Sequence, residues 1–286
     1  MSAVLTQSWT RLGLIAGGGA LPRLVAQACA ADGRLGCVIA LSGFADPADF
    51  DAPLVRTIGQ FGHVVSDLQA AGCDAVCFAG IVTRPDFRSF IPDMEGARLL
   101  PRLLAAAVRG DDALLRVVVA AFEERGLCVV GADTISGSLL ATEGRIGGDA
   151  DIAAHEADIA KAMHAAAAVG ALDAGQGAVV CDGLVLALEA QEGTDAMLAR
   201  VAGLPDTVRG RPGAPRGVLA KRPKPEQERR VDLPVVGVAT VEGAAAAGLA
   251  GIAVEAGAAL ILGREAVDQA ARRLGMFVVG VAQGNE

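Results

Sequence analysis

Leu12-Gly-Leu-Ile-Ala-Gly-Gly-Gly-Ala-Leu-Pro22 decides the fold of the first half of this chain. Leu12–Ala16 is a short apolar strand, three glycines follow, and Leu21–Ala31 has the periodicity of an amphipathic helix closed by Gly33. A strand that passes through a glycine turn into a helix is the opening unit of a parallel α/β sheet. Such a turn also brings backbone N–H groups and the positive end of a helix to one point, where an anion can sit. Pro22 suits the first helical turn, because its missing N–H would have no partner there. Gly17, Gly18 and Gly19 are therefore candidate substrate-binding residues, and a plain tight turn is the alternative. As a dinucleotide fingerprint the stretch is incomplete, since Pro22 takes the third glycine position. The second strand also ends in Ser42-Gly43 instead of a ribose-binding acid.

Outward from this unit the alternation continues. Strands are expected at Cys37–Leu41, Asp74–Ala79 and Leu127–Val130, with helices at Val64–Ala71, Glu95–Val108 and Asp111–Glu124. Apolar strands separated by helices predict a Rossmann-like parallel sheet covered on both faces, over residues 1–131. From Gly131 to Asp151 the pattern breaks into Gly, Ser, Thr and Asp, with Gly147-Gly148, and residues 132–150 read as a linker. Residues 151–286 read as a second α/β domain. It has a helix at Asp151–Ala168, strands at Ala178–Cys181 and Leu184–Leu188, and alternating elements from Val235 to Val281.

Composition limits what the protein does. Over its 286 residues the chain carries a net charge of −8, which argues against general nucleic-acid binding. One stretch runs the other way: Arg209 to Arg230 holds eight Lys or Arg against Glu226 and Glu228. That field suits phosphate, or it is a solvated loop, and its prolines at 205, 212, 215, 223 and 225 argue against regular structure. Met1–Thr10 lacks the features of an export signal, so a cytoplasmic location is expected. Ala244–Leu262 is apolar enough to raise a membrane span, but Glu255 and three glycines favour buried core. The six cysteines form no zinc spacing and read as reduced core thiols. The three histidines are scattered, without a metal motif.

Two further clusters carry possible chemistry. Asp173-Ala-Gly-Gln176-Gly177 leads into a strand, and Glu189-Ala-Gln-Glu192-Gly193-Thr194-Asp195 follows a second. Carboxylates at such spacing suit Mg²⁺, a hard cation that prefers oxygen. Lys221-Arg-Pro-Lys-Pro-Glu-Gln227-Glu228-Arg229-Arg230-Val-Asp232 alternates cations and acids just before an apolar strand. Phosphoryl chemistry uses both, cations against phosphate charge and carboxylates to hold a metal or orient water.

Taken in order, Leu12–Pro22, Gly110-Asp-Asp-Ala-Leu-Leu115, Gly170–Gln176, Leu188–Asp195 and Arg230-Val-Asp-Leu-Pro-Val-Val-Gly237 resemble the UDP-2,3-diacylglucosamine pyrophosphatase family of Gram-negative bacteria. The resemblance spans nearly the whole chain. It implies two domains with the lipid-sugar product, lipid X, held in a cleft between them. It also implies Mg²⁺ or another divalent cation, and water attack on the sugar-side phosphorus of UDP-2,3-diacylglucosamine to release UMP for lipid A synthesis. The family's essential aspartate lies in a Gln-Asp-x-Arg-x-Asp-Leu-Pro segment; here Glu228 replaces its first Asp and Asp232 keeps the second. Asp232 is thus the leading catalytic candidate and Glu228 the second. Asp232, Glu189 and Asp195 are the expected metal ligands, and Gln176, Thr194, Lys221 and Arg230 the expected substrate contacts. A lipid substrate is compatible with peripheral contact at the inner membrane, and a homodimer stays open. Two rivals remain: a Rossmann-type oxidoreductase using a nucleotide cofactor, and a non-catalytic lipid carrier.

Overall fold

A computed structural model describes residues 9–83, 91–225 and 227–283. The start of the stretch read for an export signal, Met1–Ser8, and Glu226 of the basic segment lie outside the described residues. The chain divides into two compact units, one of residues 1–137 with 228–231 and one of residues 138–227 with 232–286.

The first unit contains β1 (Leu12–Ala16), α1 (Leu21–Ala31), β2 (Leu35–Leu41), β3 (Leu54–Arg56), α2 (Phe61–Ala70), β4 (Ala75–Ala79), α3 (Met94–Ala107), α4 (Asp111–Glu123), β5 (Cys128–Val129) and the short α5 (Ala132–Ile135). Its strands pair in the order β3-β2-β1-β4-β5, all parallel, which is a Rossmann-type order and agrees with the parallel sheet expected from the sequence. Every residue of β1 is buried, as a central strand covered on both faces requires. α1 buries Leu21, Val25 and Cys29 and packs on β1, β2 and β4. A core of Ile15, Ile39, Leu68, Val76, Leu99 and Phe122 ties α2, α3 and α4 to the sheet. Within it the Phe122 ring stands edge-on to Phe61 and Phe78, at centroid distances of 5.0 and 5.2 Å.

In the second unit the elements are β6 (Gly144–Gly148), α6 (Glu156–Ala171), β7 (Gly177–Cys181), β8 (Leu184–Leu188), α7 (Gly193–Ala202), β9 (Val218–Lys221), β10 (Val235–Val236), α8 (Val238–Ala246), β11 (Gly251–Glu255), β12 (Leu260–Ile261), α9 (Arg264–Arg273) and β13 (Phe277–Val281). A six-stranded sheet runs β6-β13-β11-β9-β7-β8. β9, β11 and β13 are parallel, while β6, β7 and β8 join antiparallel to their neighbours. Alternation along the strands splits the core into two layers. Val179, Leu219, Ile252, Val254 and Val278 face the cluster that includes Met197 and Val201 of α7, Val241 of α8 and Val267 of α9. Ala178, Ala220, Ala253 and Val279 face Ile159, Ala162 and Ala166 of α6. The alanines on both sides of that second layer explain how a chain so poor in aromatics fills its interior.

Two expectations about the connecting regions change. Residues 132–150, read as a linker, instead contain α5 in the first unit and β6 in the second. β6 is an edge strand antiparallel to β13, and Ile146 joins the core. The Gly147-Gly148 pair is a packing requirement: a Cβ at Gly147 would come within 2.8 Å of the Asp268 backbone. The proline-rich basic stretch is not wholly irregular either. Val218–Lys221 is the buried β9, paired on both sides in the middle of the sheet. Ala244–Leu262, the apolar run, folds as the end of α8 followed by β11 and β12. Among the described residues no helix is long and apolar enough to cross a membrane. All six cysteines are free thiols, buried or half-buried.

Candidate active site

The alternation that builds the second core also places its chemistry. Leu219 of β9 and Ala187 of β8 both lie in the layer beneath α7, so two residues on, Lys221 and Glu189 share that side of the sheet. Both are only 5% exposed. Burying two opposite charges together is tolerable where leaving either alone is not. Glu189 takes a hydrogen bond on Oε1 from the Thr194 hydroxyl at 3.0 Å. Its Oε2 is buried and has no hydrogen-bond partner. Gly177, opposite Lys221 in the β7–β9 pairing, makes room for it, because a Cβ there would run into that oxygen.

Lys221 donates from Nζ to the Val235 carbonyl at 3.1 Å. Burial pushes its ammonium below the ordinary lysine value, while the negative charges of Glu189, Asp195 and Asp232 pull it back up. All three carboxylates thus act on one buried cation. Thr194 and Asp195 come from the first turn of α7, where a carboxylate also meets the positive end of the helix. Asp232 is half-buried and accepts a hydrogen bond on Oδ2 from Gln227 Nε2. Gln176, just before β7, approaches the same Gln227 amide with its Oε1 at 3.4 Å and accepts the Arg222 N–H on its carbonyl at 2.9 Å. Gln176, Glu189, Thr194, Asp195, Lys221 and Asp232, all singled out from sequence, therefore belong to one neighbourhood in the second unit. Gln227 was quoted within its segment but given no role; its polar type, flanked by prolines and acids, carries no signal until the fold buries it.

Other expected site residues are engaged elsewhere. Glu228 lies in the first unit, where Arg230 holds both of its oxygens, Nε to Oε1 at 2.8 Å and Nη2 to Oε2 at 2.9 Å. The remaining Arg230 nitrogen, Nη1, donates to Glu123 at 2.6 Å. Every nitrogen of the Arg230 guanidinium is thus given to a protein acid, so Arg230, expected as a substrate contact, and Glu228, expected as the second catalytic acid, are here engaged with each other. The Glu228 N–H in turn donates to Asp112 Oδ1 at 2.7 Å, which gives the Gly110-Asp-Asp motif a holding role. In the glycine turn, Gly17 and Gly18 donate to the Ala79 and Ile81 carbonyls, both at 2.8 Å. A Cβ at Gly17 would stand 2.7 Å from Ile81 O, so close backbone packing accounts for this glycine and leaves the first two N–H groups unavailable to an anion. The basic stretch is also largely neutralised: Arg209 pairs with Asp206 at 2.8 Å, Arg222 with Glu255 at 2.5 Å, Lys224 with Asp173 at 2.7 Å, and Arg216 with Asp182.

Among the described residues no group of three or more His, Cys, Asp or Glu side chains converges as a metal-binding cluster. Asp232, Glu189 and Asp195, whose charges all influence the Lys221 ammonium, thus do not form a ready-made cage. The donor chemistry still fits Mg²⁺, which commonly takes one or two carboxylates and completes its shell with water and phosphate oxygens. The unpartnered, buried Glu189 Oε2 is a hard oxygen of that kind.

A Rossmann-ordered unit and a mixed-sheet unit, the second with acids and a buried lysine in one neighbourhood, define a two-unit α/β protein. The LpxI N-terminal domain family matches residues 11–139 and the LpxI C-terminal domain family matches residues 142–279. UDP-2,3-diacylglucosamine pyrophosphatase LpxI of Caulobacter vibrioides is 55% identical over 272 residues, which cover 95% of this chain and 97% of that relative. The chain belongs to the LpxI family.

Proposed function

We propose that this protein hydrolyses the pyrophosphate of UDP-2,3-diacylglucosamine to UMP and 2,3-diacylglucosamine 1-phosphate. The reading is supported by family membership and, in the structure, by one observation: Lys221 and Glu189 are both buried on one side of the same sheet, with the Thr194 hydroxyl on Glu189 Oε1 and Glu189 Oε2 left without a hydrogen-bond partner. A cation fixed in a low-dielectric site offsets phosphate charge far better than one in water. Asp232, at the half-buried rim, is the carboxylate that orients the attacking water and takes its proton. The water oxygen bonds to the sugar-side phosphorus, the bridging P–O bond breaks, and UMP departs with that bond's electron pair. Thr194 fixes Glu189 through its hydroxyl, and Gln176 contributes an amide to the same neighbourhood. Asp232 with Glu189 or Asp195 would hold a divalent cation, which supplies charge neutralisation and polarises the phosphoryl oxygen.

Incubating the protein with UDP-2,3-diacylglucosamine, with and without chelator, checks the proposal. UMP release that stops with chelator and returns with Mg²⁺ is expected. Tight retention of unchanged lipid would make the protein a carrier instead, and binding of a nicotinamide cofactor would favour the oxidoreductase.

A further inference from the structure

Gln227 is 8% exposed, and its amide has a forced orientation. The Lys224 backbone N–H donates to Oε1 at 2.7 Å, and it could not donate to the amide NH2, which is itself a donor. Nε2 must therefore face the other way, where it meets Asp232 Oδ2 and, at 3.4 Å, Gln176 Oε1. Both neighbours on that side are acceptors, so a flipped amide would set oxygen against oxygen on one side and N–H against N–H on the other. The bond to Asp232 also has a place in the chain path. Backbone leaves the second unit after Gln227, contributes Glu228–Val231 to the first, and re-enters at Asp232. The Gln227–Asp232 hydrogen bond closes the neck of that four-residue excursion.

We infer that Gln227 is the positioning residue for Asp232: its buried amide fixes which way the carboxylate faces. This rests on the reading of Asp232 as the reacting carboxylate. A group held by a donor on one oxygen keeps one rotamer, and loss of such a supporting partner typically costs 10- to 100-fold in activity.

Two substitutions in the full-length chain separate this role from a structural one. Gln227→Glu keeps an acceptor for the Lys224 N–H and loses the donor to Asp232; Gln227→Met keeps the length and loses both. The expected result is a kcat lowered about 10- to 100-fold in both, with KM within about threefold of the parent. Both rates are compared at a temperature well below the thermal midpoint of either variant, so that only folded protein is assayed. A normal kcat in Gln227→Glu, with only Gln227→Met impaired and less stable, would show that Gln227 serves the Lys224 turn and would overturn the inference. Asp232→Ala, run alongside, keeps the two ideas apart. If it still turns over, the functional reading fails and the inference with it. If it is inactive while Gln227→Glu is normal, the inference alone fails.

Discussion

Asp232 and Glu228 stand four residues apart in one charged segment, and the fold gives them opposite fates. Glu228 has both oxygens held by Arg230, whose last nitrogen is held by Glu123. Every guanidinium nitrogen there has a carboxylate partner. Around Lys221 the balance is different: a buried ammonium feels the negative charge of three carboxylates, and Glu189 keeps a buried oxygen without a hydrogen-bond partner. An arrangement with its bonding complete holds chain together. One that leaves a buried oxygen unsatisfied has a hard donor to offer the divalent cation proposed above.

The largest expected break in this comparison comes from Asp232→Ala. Turnover should fall about 10²- to 10⁴-fold with substrate still bound, measured by UMP release and by lipid retention on the purified variant. Near-normal rates would remove Asp232 from the chemistry. Lys221→Met should be nearly as severe in activity and also destabilising, by about 3 kcal/mol, because it leaves Glu189 buried without a countercharge. Thermal unfolding would show it, and an unchanged midpoint would mean that the cluster is solvated. Gly17→Ala sharpens the status of the glycine turn. Contact with Ile81 O and Val82 predicts a loss of about 1–3 kcal/mol with KM preserved in the folded fraction. A raised KM at unchanged stability would instead return this turn to the substrate site.

Glu228→Gln should change least. Turnover is expected within about twofold of the parent, and stability should fall by well under about 1 kcal/mol, since Arg230 is partly exposed and solvent screens the pair. Hydrogen bonds from Arg230 hold the Glu228 carboxyl below its ordinary value, against the opposing effect of burial. A depressed acid stabilises the fold above its unfolded pKa, about 4.3, and that contribution fades as pH falls through the lower folded value. The parent should therefore lose its small advantage over Glu228→Gln in acid. A difference that grew in acid would reverse the assignment.

Much of this was readable in residue order. β1 and α1 coincide with their expected spans, and the parallel first sheet follows from the alternation of apolar runs and amphipathic helices. Other features were hidden for physical reasons. β9 is only four residues, Val-Leu-Ala-Lys, set among cations and prolines, so neither its length nor its flanks signal a strand. Thr194 and Asp195 read as a turn beyond a strand, yet they open α7, because Gly193 takes positive φ and lets the chain turn into the helix. The arginine-rich stretch suggested a phosphate field, but the acids that neutralise it come from sequence positions as distant as Asp173 and Glu255.

Sequence by itself determined the class of fold and the family motifs, because strand and helix periodicity and glycine placement are local properties that short-range sterics enforce. It also named Glu189, Asp195 and Asp232, the acids whose charge acts on Lys221. Only the tertiary structure decided which charges meet. Pairing β9 between β7 and β11 puts Lys221 opposite Gly177, on the side of the sheet that Glu189 shares, and no local pattern encodes that. Electrostatics depends on distance and burial, so two acids of one segment became a partner of Arg230 at Glu228 and part of an acid-rich neighbourhood at Asp232.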